Sequence, residues 1–166
     1  AQRIPGIPAD PGIVGCGYAH TKAVKSGRSL KNVLIFEDDF QFLVTPEEFW
    51  SQLEDAMKEP FDVIMLGCNL RESEPYSNND NLVRVKWGCT GSGYLINKHM
   101  IDTIIDLFED SNKKLADTHK HWIYANDQCW RPLQESGLWL TFKNKIGKQR
   151  ASYSDNTKVF ADYDDC

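Results

Sequence analysis

Three consecutive carboxylates, Glu37-Asp38-Asp39, stand directly after the apolar run Val33-Leu34-Ile35-Phe36. Like charges packed this closely repel one another unless something cationic meets them. The apolar run reads as a strand buried on both faces, and in open α/β sheets ligands gather beyond the carboxyl ends of strands. The chemistry that suits such a strand end is coordination of a hard divalent cation, Mg²⁺ or Mn²⁺, with octahedral positions left for phosphate oxygens and water. Alternation along an extended chain predicts Glu37 and Asp39 on one face and Asp38 on the other. The plain alternative is a solvated acidic turn, which is what most charge runs are. Attachment to a strand favours the metal reading.

Other residues offer chemistry more weakly. His20 is read as a hydrogen-bonding structural residue or as part of a binding pocket. Asp127 either caps a helix or serves as a carboxylate that takes a hydroxyl proton. Ser92, Gly93 and Tyr94 suit an acceptor side, because small residues let a sugar approach the backbone and an aromatic ring stacks on it; a tight turn with Tyr94 in the core is the even alternative. Lys143, Lys145, Lys148 and Arg150 form a basic segment that neutralises phosphates or merely faces solvent. His119 and His121 share a face in an extended stretch but have no third ligand nearby, so a structural reading is preferred.

These residues need elements to hold them. Residues 1–15, with Pro5, Pro8, Pro11, Gly6, Gly12 and Gly15, are predicted as loop, followed by a helix over Tyr18–Lys25 that ends at Gly27. Thr45-Pro46-Glu47-Glu48 has the pattern of a capping box with Pro at the first helical position, and Phe49, Trp50, Leu53, Ala56 and Met57 give that helix one apolar stripe, stopped by Pro60. Asp62 to Gly67 reads as a second buried strand, 69–81 as a mobile polar loop, and Val83, Val85 and Trp87 as a half-exposed strand. Thr90 to Gly93 reads as a small-residue turn before a short strand. Asn97 is placed as the cap of a helix burying Ile101, Ile104, Ile105 and Phe108. Lys113–Lys120 is read as irregular. Asp127 caps a helix over Gln128–Glu135 that Pro132 kinks, and Leu138–Phe142 is a last strand. Residues 151–166 are expected to be a loosely held acidic tail.

A chain of 166 residues fits one domain, and the composition is that of a globular one. A net charge of −5 argues against general binding to nucleic acid or anionic membrane, both of which need a basic face. No run approaches the roughly 20 apolar residues of a membrane-spanning helix. The five cysteines are scattered with no C-x-x-C spacing, so reduced thiols and a cytoplasmic location are expected.

Several segments together resemble glycosyltransferase family 25. Gly15-Cys16-Gly17-Tyr18-Ala19-His20 is similar to its G-C-x-x-S-H segment, with Ala19 in place of Ser, and Val33 to Asp39 matches a strand ending E-D-D. Phe61 to Gly67, Thr90 to Ile96, Asp127 and Ile146-Gly147-Lys148-Gln149 follow in the same order. The resemblance covers about residues 12–154; the family's first strand and nucleotide-binding turn have no counterpart in the sequence.

What the resemblance implies is a GT-A-like, Rossmann-like α/β fold with a mixed, mainly parallel sheet flanked by helices, lacking its first strand. It implies a nucleotide-sugar donor, expected to be a UDP-sugar, a saccharide or glycoprotein acceptor, and Mn²⁺ or Mg²⁺ held by Glu37, Asp38 and Asp39. Asp39 is the first choice of ligand, and Glu37 binds the metal or the ribose. It places Gly15, His20 and Gln149 on the donor side and makes Asp127 the base. The competing readings are a non-catalytic transferase-like binding or assembly module and, less well matched, a receiver-type Mg²⁺ phosphotransfer site.

Overall fold

Alternate residues of the second apolar run face opposite ways, and that alternation sets the layers. In a computed structural model, which describes residues 1–154 and 159–161, Val63 and Met65 enter one buried cluster while Ile64 and Leu66 enter another on the opposite side of the sheet. In chain order the first elements are α1 (Gly12–Ser26), β1 (Asn32–Phe36), β2 (Phe40–Phe42), α2 (Pro46–Ala56), β3 (Val63–Pro75) and β4 (Leu82–Asn97). There follow α3 (Lys98–Thr118), α4 (His121–Tyr124), α5 (Asn126–Cys129), α6 (Arg131–Ser136), β5 (Trp139–Phe142), β6 (Gly147–Gln149), β7 (Ser152–Ser154) and β8 (Val159–Ala161).

The chain is α/β, with a mixed four-stranded sheet in the order β1-β4-β3-β5 flanked by helices. The expectation of a mainly parallel sheet is corrected. Only β3 and β5 run parallel; β4 is antiparallel to β1, β3 and β5. The reason is local: β4 returns from β3 through the short 76–81 connection rather than by a helical crossover. β5 lies between two strands, pairing Ile64 with Leu140 on one edge and Arg84 with Leu140 on the other.

One face of the sheet carries Val24 of α1 and Ile101, Ile104, Ile105 and Phe108 of α3, packed with Trp130 and Trp139. The other carries Phe49, Leu53 and Ala56 of α2 against Leu95, Leu140 and Phe142. The α2 start is as predicted: Thr45 Oγ1 accepts from Glu48 N at 3.2 Å and Glu48 Oε2 accepts from Thr45 N at 2.9 Å.

Four elements run further than the sequence suggests. α1 begins at Gly12, inside the expected loop, because its glycines are points of close approach rather than breaks. A Cβ on Gly15 would lie 1.9 Å from the Ile7 carbonyl oxygen, and one on Gly17 would lie 2.1 Å from Asn112 Oδ1 on α3. Each helical glycine costs about 0.5–1 kcal/mol against alanine, which this packing offsets. α3 continues to Thr118 because Ser111, Asn112 and Leu115 extend its buried face. Asn112 donates to Thr21 Oγ1 at 2.8 Å, so that part of the face is polar and escapes an apolar pattern. β3 and β4 extend as one bulged hairpin through the expected 69–81 loop, and Thr90–Gly93 is strand, not turn, with Thr90 at φ 78° marking an irregularity. Within the tail, 152–154 pair with 159–161, and the remainder, 155–158 and 162–166, lies outside the described residues.

The far edge of β4 is open between Arg84, where β5 stops, and Gly93, where β1 begins. Gln134 of α6, fully buried, fills part of that gap: its Oε1 accepts from Gly88 N and its Nε2 donates to Gly88 O, both at 2.9 Å. The side-chain amide thus presents the same donor and acceptor pair that a neighbouring strand would.

Candidate functional site

β1 ends at Phe36, and the acidic triplet is a turn rather than a continuation of the strand, closed by the Phe40 N–H donating to the Glu37 carbonyl at 3.2 Å. Side-chain alternation therefore stops before the triplet, and Glu37 and Asp39 are met by different partners. The turn is pinned by Phe40, whose ring lies against three glycines from three strands. A Cβ would come within 3.2 Å of that ring at Gly67, 2.5 Å at Gly93 and 2.1 Å at Gly147. Only the absence of side chains at these positions lets the ring seat.

On the α1 side, Glu37 Oε1 meets His20 Nε2 at 2.8 Å, and the Cys16 thiol points at the same oxygen from 3.9 Å. His20 Nδ1 lies 2.7 Å from the Tyr94 hydroxyl, and the two rings stack with centroids 5.8 Å apart. Cys16 and His20 share one face of α1 at a spacing of four residues. Burial works against the imidazolium, but the Tyr94 oxygen, Cys16 and Glu37 outweigh it and raise the His20 pKa well above its ordinary value. Burial also raises the pKa of the Tyr94 phenol.

On the β6 side, Gln149 Nε2 donates to Asp39 Oδ2 at 2.8 Å and the Arg150 N–H donates to the Asp39 carbonyl at 2.8 Å. The other carboxylate oxygen, Oδ1, is buried and makes no hydrogen bond. Burial lifts the Asp39 pKa; the Gln149 bond pulls it down, and the Glu37 and Asp38 charges add to the lift. Asp38 is exposed.

Asp127 is not a helix cap. It lies in the first turn of α5, and its Oδ2 accepts from Thr90 N at 3.2 Å and Gln128 Nε2 at 3.1 Å. Thr90 adjoins Gly91, where a Cβ would sit 3.8 Å from His20 Cε1, so the β4 irregularity brings Asp127 close to the His20 cluster. The helix expected over Gln128–Glu135 is two short ones, with Pro132 in the first turn of the second.

Other expected positions are placed differently. Ser92, Gly93 and Tyr94, expected on the acceptor side, are all buried; Tyr94 is core, the alternative reading of that segment, and its hydroxyl meets His20. Gly15, expected on the donor side, is covered by the backbone of residues 7–9. What the sequence reading missed is an aromatic edge beside the turn. Phe36, Phe42 and Trp50 are exposed around buried Phe49, with Phe36 and Phe42 ring centroids 5.5 Å apart. Their spacing was visible, but their common exposure was not.

A groove of about 640 Å³ lies elsewhere, lined among others by Trp87, Lys86, Trp122 and Arg131, with Arg131 stacked 4.1 Å over Trp87. Cys16, Cys68, Cys89 and Cys129 are free thiols, and burial pushes Cys68 and Cys129 up to about 12. No helix of the described residues is long and apolar enough to cross a membrane. No protein-family model matches the sequence, and no curated protein matches it significantly.

Proposed function

We propose that this chain is a metal-dependent glycosyltransferase domain that moves a hexose from a nucleotide-diphosphate sugar, a UDP-sugar in the first instance, to a hydroxyl of a saccharide or glycoprotein. The observation that carries this reading is Asp39 Oδ1, a buried carboxylate oxygen with no partner inside an acidic turn. A group of that kind is costly unless a cation meets it, so the residues present fit a hard divalent ion.

Asp39 and Asp38 are the residues that would hold the ion, with Glu37, held by His20, as a partner of the ribose. When bound, the ion neutralises the two donor phosphates and stabilises the departing nucleoside diphosphate. Gln149 fixes the orientation of the Asp39 carboxylate through Oδ2, and Oδ1 would be the oxygen offered to the ion. The exposed Phe36, Phe42 and Trp50 rings offer flat apolar faces on which a base or pyranose ring stacks. Asp127 is the carboxylate assigned to take the acceptor hydroxyl proton; both of its hydrogen bonds fall on Oδ2, and Oδ1 takes part in neither.

A non-catalytic binding module is the second reading, favoured by the position of the 640 Å³ groove, whose lining includes neither the acidic turn nor Asp127. Calorimetric titration of the folded full-length chain with UDP-sugars in the presence of Mn²⁺ separates the two. Metal-dependent binding that disappears in Asp39→Ala supports the transferase; absence of any binding to the folded chain sinks it in favour of the module.

A further inference from the structure

The arrangement of Cys16, His20 and Glu37 goes beyond the transferase reading. Among the described residues this is the one group of three or more Cys, His, Asp or Glu side chains whose donor atoms gather, with Sγ, an imidazole nitrogen and a carboxylate oxygen all within 4.8 Å of one another. We propose that these three residues form a site for a soft divalent cation of the Zn²⁺ class, separate from the hard-cation position at Asp39.

The donor chemistry carries the distinction. Thiolate and imidazole suit Zn²⁺, whereas Mg²⁺ and Mn²⁺ prefer all-oxygen sets such as Asp38 and Asp39. In a tetrahedral Zn²⁺ site with ordinary bond lengths, nitrogen and oxygen ligands stand about 3.3 Å apart, and sulfur and oxygen about 3.5 Å. His20 Nε2 and Glu37 Oε1 are 2.8 Å apart, and Cys16 Sγ and Glu37 Oε1 are 3.9 Å apart. Both separations reach the required values by shifts of about half an ångström.

The scaffold supplies what such a site needs. Cys16 and His20 come from one turn of α1, so their spacing is set by the helix before any tertiary contact. The ring nitrogen that does not face the cluster, His20 Nδ1, is held at 2.7 Å by the Tyr94 hydroxyl, which fixes the imidazole with Nε2 directed inward. Cys16 and Glu37 are only partly buried, so solvent reaches the cluster. On binding, the Cys16 thiol gives up its proton, and the proton shared between His20 and Glu37 is released as both become ligands. Occupancy also ties down Glu37, so Zn²⁺ withdraws that carboxylate from the ribose.

The test uses Co²⁺ as a spectroscopic stand-in, added to the reduced full-length chain and then displaced by Zn²⁺. The expected result is one equivalent bound, with a thiolate-to-cobalt charge-transfer band and visible bands of tetrahedral strength. Both disappear in Cys16→Ser and persist in Cys89→Ser. Zn²⁺ affinity is expected to fall by more than about 100-fold in Cys16→Ser and by about 10-fold in Tyr94→Phe, which removes the hydroxyl that orients His20. Should Cys16→Ser fail to fold, Glu37→Gln serves instead, with the charge-transfer band kept but affinity reduced about 10-fold or more. Absence of a thiolate band in the folded wild-type chain, or a band unchanged in Cys16→Ser, overturns the site. Neither measurement requires transferase activity, so its failure is distinct from failure of the transferase reading.

Discussion

Glu37 and Asp39 are two residues apart in one turn, yet the protein treats them in opposite ways. On the α1 side, Glu37, His20, Tyr94 and Cys16 direct their polar groups at one another around a buried imidazole. On the β6 side, Gln149 satisfies one oxygen of Asp39 and the other is buried with nothing opposite. In the first region both ring nitrogens of His20 have partners; in the second one carboxylate oxygen has none. A carboxylate's neighbours, rather than its place in an acidic run, decide which of these it becomes.

The contrast breaks most severely at His20. His20→Leu leaves Glu37 and the Tyr94 hydroxyl facing an apolar group and is expected to cost about 3 kcal/mol, read from the urea midpoint. Because folding raises the His20 pKa, the wild-type advantage is full below about the ordinary 6.5 and fades as pH rises through the folded value. An advantage that grows with pH contradicts the pairing. Next in size is the hinge between the two regions. Gly147→Ala places a Cβ 2.1 Å from the Phe40 ring and is expected to cost about 2 kcal/mol, with loss of Mn²⁺ binding as the turn shifts.

Asp39→Asn sharpens the other half. Removing a buried unpaired charge should stabilise the metal-free chain by about 1 kcal/mol at neutral pH while abolishing Mn²⁺-dependent thermal stabilisation. Since folding raises the Asp39 pKa, that gain is present above the folded value and vanishes as pH falls through it. A destabilised Asn variant would show that Asp39 is structurally satisfied after all. The smallest effect is expected at Gln149→Ala, about 0.5–1.5 kcal/mol, together with a further rise of the Asp39 pKa on NMR titration.

Local signals were legible in the sequence, and non-local ones were not. Thr45 and Glu48 announce the α2 cap because both partners lie within one turn, and Ile101 to Phe108 announce the α3 face by their spacing. The polar half of β3, Asn69 to Pro75, has no such signal: its strand state comes from pairing with β4, and its exposed side chains carry no apolar rhythm. Strand direction is equally silent in a short apolar run. Of the candidate site, the acidic turn and the Cys16–His20 spacing could be read, since each is contiguous or helical. The bond from His20 to Tyr94 spans 74 positions, and the one from Asp39 to Gln149 spans 110, so no local pattern reports either.

The amide of Gln134 has a consequence for how copies of this chain meet. A strand edge with free N–H and C=O groups is a template on which another molecule's strand can add. Along β4 the gap between β5 and β1 is such an edge, and Gln134 occupies Gly88 while Asp127 takes the N–H of Thr90. Two side chains from short helices therefore act as a guard against intermolecular β-pairing, and loss of either would be felt first as aggregation rather than as unfolding.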